Sequence, residues 1–298
     1  MAIPFVREMT FEYGVLAEVA PGLRRMVVNN PGGFTFHGTN TYVIGTGEVA
    51  VLDPGPLNTA HFEALMSALE GETVTHILLT HTHMDHSPAA KPLKEKTGAK
   101  TYGYGPHGSG KLETGIQVEA GGDMDFVPDV AVRHGDVIKG RDWEVECVFT
   151  PGHTSNHICY ALPDNQGLIT GDHVMGWSTS VISPPDGDMK AYMDSLELLV
   201  ERADNVLWPA HGDAIRDPAP FLKEFIAHRQ AREVQITACI SDGLTDIRTM
   251  VTRMYADVDP KLHRPAAMSV LAHLQHMVAT GRATCQGAPG IESVYANP

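Results

Sequence analysis

Between residues 80 and 86 the chain reads Thr80-His81-Thr82-His83-Met84-Asp85-His86, which puts three imidazoles and one carboxylate within six residues. Neutral imidazole and carboxylate are the donors that Zn²⁺ and similar ions take, at about 2.0–2.2 Å. On an extended backbone His81 and His83 point to the same side, because side chains alternate with a period of two. A turn after them lets Asp85 and His86 face a second point a few ångströms away. The segment can therefore divide its donors between two ions. A solvated polar loop is the plain alternative. So many titratable groups in one short run, however, raise the local cost of charge unless a cation offsets it.

The elements around the cluster must hold it still. It follows the apolar run His76-Ile77-Leu78-Leu79, which reads as a buried strand running to about Thr80 and delivering side chains at a sheet edge. The same pattern recurs along the chain. Trp143 to Phe149 runs into Thr150-Pro151-Gly152-His153, Gly167 to Thr170 into Gly171-Asp172-His173, and Asn205 to Pro209 into Ala210-His211. Four strands followed at once by His or Asp imply that neighbouring strand ends converge on one site, on rigid elements with short loops. Upstream, Thr41 to Ile44 and Glu48 to Leu52 flank Gly45-Thr46-Gly47 as a hairpin. Asp53 ends the second of these strands, either as a turn residue or as a carboxylate that orients a ligand histidine. Residues 59–70 carry helical spacing, with Gly71 behind them. Ser87 and Pro88 are expected to cap and open another helix, stopped by Gly98. The glycine-rich stretch 103–125 reads as a loop by the cleft or as a long surface connection. Tyr192 to Glu201 is amphipathic. From Pro218 the chain turns helical, over Phe221–Ile240, Asp246–Tyr255 and Pro265–Thr280.

By type and place, His81, His83 and His153 are expected to hold one ion. Asp85, His86 and His211 are expected to hold the other. Asp172 can bridge them, since a carboxylate has two oxygens to share. Two divalent ions about 3.5–4 Å apart clamp an attacking and a leaving oxygen, and a water between them ionises near neutral pH. The hydroxide then attacks a carbonyl carbon or a phosphorus. Asp85 and His157 are the candidates for proton relay, although an aspartate bound to metal is a poor base. His76, His134, His157 and His173 read first as ordinary polar or core residues. His157, four residues after His153, is the one that could touch substrate. The donors suit Zn²⁺ first and accept Mn²⁺ or Fe²⁺. There is no Gly-x-Ser-x-Gly elbow and no phosphate-binding P-loop.

His81-Thr-His83-Met-Asp85-His86 with His153, Asp172 and His211 resembles the HxHxDH…H…D…H signature of the metallo-β-lactamase superfamily, across about residues 20–215. The resemblance implies an α/β fold, an αββα sandwich with a dinuclear site at one edge. The donor set is similar to the glyoxalase II and ribonuclease Z type. True zinc β-lactamases commonly place a cysteine among the ligands, and none stands here. Phe36-His-Gly-Thr-Asn-Thr-Tyr42, Thr150 to His157, Pro184-Pro-Asp-Gly187, and His228-Arg-Gln-Ala-Arg-Glu233 through Ala272-His-Leu274 resemble the β-lactamase-like protein 2 family. That implies a small C-terminal winged-helix-like domain. The expected division is a catalytic domain over 1–215 and the winged helix over 216–298. The family includes an endoribonuclease acting on single-stranded RNA.

Composition bounds the rest. At 298 residues and 43% hydrophobic, the chain can bury a sizeable core. It has no run of about 18 apolar residues to span a membrane. Arg7 and Glu8 stand where a signal peptide would be apolar, and the four cysteines form no CxxC pair, so a cytoplasmic protein is expected. The net charge of −14 is uneven: from Ala214 onward nine Lys or Arg meet eight Asp or Glu, leaving 13 basic and 28 acidic residues before it. That acidity argues against a surface that grips nucleic acid throughout. Three readings follow. The first is a hydrolase of a small-molecule ester, thioester or lactone. The second is a phosphodiesterase acting on single-stranded RNA through the tail arginines Arg229, Arg232, Arg248, Arg253 and Arg264. The third is a non-catalytic nucleic-acid-binding protein with a structural metal. A homodimer is compatible with all three.

Overall fold

A computed structural model describes residues 3–109, 121–257, 259 and 263–298. The first sheet follows chain order. It comprises β1 (Ala17–Ala20), β2 (Leu23–Val27), β3 (Asn40–Thr46), β4 (Glu48–Leu52), β5 (Thr73–Leu78), β6 (Lys100–Gly103) and β7 (Val130–Ala131). Its first four strands are antiparallel, and β4 to β7 are parallel. The hairpin expected at Gly45-Thr46-Gly47 pairs Thr46 with Glu48. The second sheet holds β8 (Val137–Lys139), β9 (Glu144–Phe149), β10 (Ile158–Ala161), β11 (Leu168–Gly171) and β12 (Leu207–Pro209), in the order β12-β11-β10-β9-β8.

Period-two alternation explains why the sheets stack. Tyr42, Ile44, Ala50, Leu52, Cys147, Ile158 and Tyr160 point inward and share one core between the sheets. Their neighbours point outward. Val43, Val49 and Val51 meet helices α1 (Thr59–Ala68) and α2 (Ala90–Thr97) through Leu65 and Leu93. Val148, Cys159 and Ala161 meet α3 (Met189–Arg202) and α4 (Pro218–Ser241) through Tyr192, Leu196, Phe221 and Phe225. The result is an αββα sandwich. Each fully buried aliphatic side chain in it contributes about 1.5–3 kcal/mol.

Helix α4 runs on past the sandwich. Its second half, at Ile236, Cys239 and Ile240, packs with α5 (Ile247–Met254), α6 (His263–Ala279) and Tyr295 as a separate small core. The short strands β13 (Thr284–Cys285) and β14 (Tyr295–Ala296) close this C-terminal winged-helix unit. Three of its arginines are engaged internally. Arg229 is 3% exposed, Arg232 lies over the Tyr255 ring at 4.7 Å, and Arg253 pairs with Asp242 at 2.6 Å. Burial withholds Arg229 from a phosphate backbone. No helix among the described residues is long and apolar enough to cross a membrane.

One expected cap is absent. Helix α2 starts at Ala90, and its N-cap Ala89 has no side-chain bond. The Ser87 hydroxyl instead donates to Asp123 Oδ2 at 2.7 Å. Tertiary pairing with the returning chain has won over local capping. Of the glycine-rich stretch, residues 110–120 lie outside the described residues. Its returning end runs beside the histidine cluster, where Met84 N–H donates to the Gly121 carbonyl and Asp123 N–H to the Thr82 carbonyl.

Where α4 meets α6, Glu233 is nearly buried. His276 Nδ1 lies 2.8 Å from its Oε1, and Arg282 pairs with its Oε2. Burial alone raises the Glu233 pKa, but bonds from His273, His276 and Arg282 hold it far below the ordinary carboxylate range. A carboxyl depressed in this way stabilises the fold above its unfolded pKa, and the stabilisation fades as pH falls toward the folded value. Glu233→Gln is expected to destabilise the protein at pH 7 by about 1–2 kcal/mol, less than a sealed ion pair because Arg282 is 46% exposed. Thermal unfolding from pH 7 down to pH 3 checks this: the gap between variant and wild type should narrow in acid. A gap that is constant or widens contradicts the assignment.

Candidate metal centre

The strand ends at one edge of the sandwich each deliver a donor. Strand β5 ends at Leu78, two residues before the position that hydropathy suggests. The chain then turns tightly, with the His86 and Ser87 N–H groups both donating to the His83 carbonyl. That turn folds Asp85 and His86 back beside His81. His153 arrives in the loop after β9, Asp172 directly after β11 and His211 shortly after β12.

Two clusters result. His83 Nδ1 lies 3.0 Å from His81 Nε2 and 3.1 Å from His153 Nε2. Asp172 Oδ2 faces the same point, 3.9 Å from His81 Nε2 and 3.6 Å from His153 Nε2. In the other cluster, Asp85 Oδ2 lies 3.3 Å from His86 Nε2 and 3.2 Å from His211 Nε2. Asp172 Oδ1 completes it, at 3.7 Å from His86 Nε2 and 3.2 Å from His211 Nε2. All seven residues singled out by spacing are thus gathered in two groups whose donor atoms lie within 4.8 Å of one another.

The far side of several imidazoles is anchored. His211 Nδ1 lies 3.1 Å from the Gly38 carbonyl, and His153 Nδ1 2.6 Å from the Val181 carbonyl. Carbonyls only accept, so Nδ1 carries a proton and Nε2 is the nitrogen turned into the site, open to a metal or a proton. His86 Nδ1 lies 2.9 Å from Asp53 Oδ2. Asp53 also accepts from the Thr80 N–H at 2.8 Å and the Thr80 hydroxyl at 2.6 Å. Its oxygens being so committed, Asp53 is a support for His86, although its position by His81 and His86 also forms a possible ligand group by distance alone. Of the two roles open from sequence, the orienting carboxylate is the one observed.

The donor set fits a metal. His86 Nε2 and Asp172 Oδ1 are sealed from water and have no hydrogen-bond partner. A buried polar atom left so costs about 1–3 kcal/mol, which a cation between these atoms would remove. Burial, joined by the neighbouring His86 and His83, holds the His81 pKa well below its ordinary value. His81 is therefore held neutral, with one ring nitrogen unprotonated. Burial likewise opposes charge on His211, but Asp172 and Asp85 reverse the effect and raise it to about 10. Positive charge is favoured between those carboxylates.

His157 stands apart from the expectation that it touches substrate. Its ring has no exposed surface, lies 5.2 Å from the His81 ring, and has Nδ1 2.9 Å from the Thr150 hydroxyl. It is packed under the ligand layer, where burial depresses its pKa further than the nearby His173 and His153 do. Gly171 makes room for it: φ is +51°, and a Cβ there would stand 2.6 Å from His157 Nε2. The spacing argument did not find Thr39, whose hydroxyl donates to Asp85 Oδ2 at 3.0 Å. Nor did it find the Gly38 and Val181 carbonyls. Backbone acceptors leave no residue-type signal.

A model of the metallo-beta-lactamase superfamily matches residues 34–211. This chain belongs to that superfamily. A second model, for the beta-lactamase associated winged helix domain, matches residues 247–290. Within the superfamily the chain is 32% identical to the lactamase-like protein adaB of Aspergillus niger, over 75% of this chain and 65% of that protein. It therefore spans just under two thirds of that relative's length. It is 29% identical to an atrochrysone carboxyl ACP thioesterase of Aspergillus fumigatus, over 78% of this chain and 69% of that one. In fold it is similar to the crystal structure of a beta-lactamase domain protein from Burkholderia ambifaria. There the TM-score is 0.81 at 21% identity, over 98% of this chain and 96% of that chain.

The supporting role of Asp53 is open to measurement. Asp53→Asn is expected to weaken metal binding by about 10–100-fold, as loss of an outer partner does elsewhere, while the far-ultraviolet circular dichroism stays unchanged. Competition for Zn²⁺ against a chromophoric chelator reads this directly. Wild-type affinity in the variant would contradict the role.

Proposed function

We propose that this chain is a hydrolase that cleaves thioesters of small molecules. Its site would hold two divalent cations, one at His81, His83, His153 and Asp172, the other at Asp85, His86, His211 and Asp172. The observation that carries the reading is the orientation of Asp172, whose Oδ2 faces one cluster and Oδ1 the other. The preference for a thioester over other esters or a lactone is supported by the Aspergillus fumigatus relative, an atrochrysone carboxyl ACP thioesterase. We assign residues 1–215 to the catalytic unit and 216–298 to the winged-helix unit, with α4 serving both through its two packed halves.

The cations, taken as Zn²⁺ with Mn²⁺ or Fe²⁺ accepted by the same donors, would supply Lewis-acid polarisation of the scissile carbonyl and a lowered pKa for water at the site. The chain's own groups hold and orient. His86, His153 and His211 present Nε2 inward from anchored rings. Thr39 fixes the Asp85 carboxylate through Oδ2. The Asp85 side chain keeps 26% exposure, against 11% for Asp172, so Asp85 is the carboxylate open to an incoming substrate, and we give it the movement of protons. His157 is assigned to packing against His81, since its burial keeps it from substrate. Water adds across the acyl C–S bond, leaving a carboxylic acid and a free thiol. A site open at Asp85 also differs from a structural zinc site, which protein ligands close on all sides.

The test is a parallel panel of thioester, lactone, bis-phosphodiester and single-stranded RNA substrates, run with wild type and Asp172→Ala. Wild type is expected to prefer the thioester. Asp172→Ala is expected to lose at least about 10³-fold in turnover while remaining folded by circular dichroism. Faster cleavage of RNA than of thioester would overturn the substrate class. Undiminished turnover by the variant would overturn the site.

A further inference from the structure

The loop that follows β11 carries two parts of the centre. It begins with Asp172, which faces both clusters, and it reaches Val181, whose carbonyl anchors His153 Nδ1 at 2.6 Å. A loop in that position must be held, because a shift of the Val181 carbonyl turns the His153 ring. The holding group comes from helix α4. Arg229 is 3% exposed and donates from Nη2 to the Ser180 carbonyl at 2.5 Å. Its guanidinium lies over the Tyr192 ring, 5.1 Å from the centroid. The Tyr192 hydroxyl donates to the His173 carbonyl at 2.9 Å, and the Ser180 hydroxyl donates to the same carbonyl at 2.8 Å. Both ends of the loop, at His173 and at Ser180, are thereby tied to one buried cation and the ring beneath it.

We propose that Arg229 is a positioning residue for the metal centre, acting through the Ser180 and Val181 backbone on His153. This rests on the reading of His153 as a ligand. Helix α4 passes from the sandwich core at Phe225 to the winged-helix core at Ile236, and Arg229 sits between the two. The C-terminal unit is therefore coupled to the centre by a direct mechanical link. Only a planar guanidinium can stack on Tyr192 and donate to Ser180 at once, a geometry that a lysine ammonium does not reproduce. A buried cation also requires local compensation, and the carbonyl and ring face supply part of it while Nε is left without a hydrogen-bond partner.

The experiment titrates Co²⁺ into metal-free wild type, Arg229→Gln, Arg229→Lys, Ile236→Ala and His153→Ala, followed by visible absorption and by thermal unfolding. Arg229→Gln is expected to bind Co²⁺ about 10-fold more weakly, with an altered ligand-field spectrum at saturation, and Arg229→Lys to fall between it and wild type. Ile236→Ala, in the same helix but in the winged-helix core, should lower the unfolding temperature and leave affinity and spectrum unchanged. That contrast separates positioning from general loosening. Wild-type affinity and spectrum in Arg229→Gln would overturn the inference. If that variant does not fold, the same result in Arg229→Lys overturns it. Should His153→Ala bind Co²⁺ as wild type does, the ligand reading itself falls and takes this inference with it. A normal Arg229→Gln beside a defective His153→Ala sinks the inference alone.

Discussion

The buried charge of Asp172 constrains everything around it. A carboxylate taken out of water keeps its charge only where positive charge or donors meet it. Here its two oxygens face opposite clusters of imidazole nitrogen, and one of them has no hydrogen-bond partner. The surrounding imidazoles must then aim lone pairs or protons at fixed points, so each needs its far nitrogen tied down. Asp53, Gly38 and Val181 do this for His86, His211 and His153. Those anchors lie on loops that border buried strands, Gly38 just before β3, Asp53 just after β4 and Val181 in the loop after β11. The geometry of a few oxygens and nitrogens is thus paid for by the packing of both sheets.

Much of this was legible in residue order. The seven donors, the turn after His83 and the convergence of strand ends followed from residue type and from hydropathy ending in His or Asp. The sandwich is legible only through the resemblance of those donors to a known signature, and the opposed burial of Tyr42 against Val43 and Cys147 against Val148 shows in the structure how its faces form. What sequence could not show were relations set by tertiary contact. Ser87 has the chemistry of a helix cap, yet Asp123 claims its hydroxyl. His157 has the spacing of a site residue, yet the fold buries it under the ligands. Strands β6, β8 and β10 were not singled out. The last of these is buried on both faces and so lacks an alternating pattern.

The C-terminal unit also reads differently in three dimensions. Its arginines suggest a basic face when counted along the chain. In space Arg229 is buried, and Arg232 and Arg253 have intramolecular partners. The helix that begins this unit is also a wall of the sandwich, through Phe221, Leu222 and Phe225. Of these, Arg229 lies where the two cores meet, bonded to the loop beside the histidine clusters.

The central claim is that one carboxylate stands between two cations. Anomalous diffraction from crystals grown with Zn²⁺, collected on both sides of the zinc absorption edge, tests it most directly. The account expects two peaks about 3.5–4 Å apart, one beside Asp172 Oδ2 with His81, His83 and His153, the other beside Oδ1 with Asp85, His86 and His211. A single peak, or two peaks of which one lies away from Asp172, would contradict it.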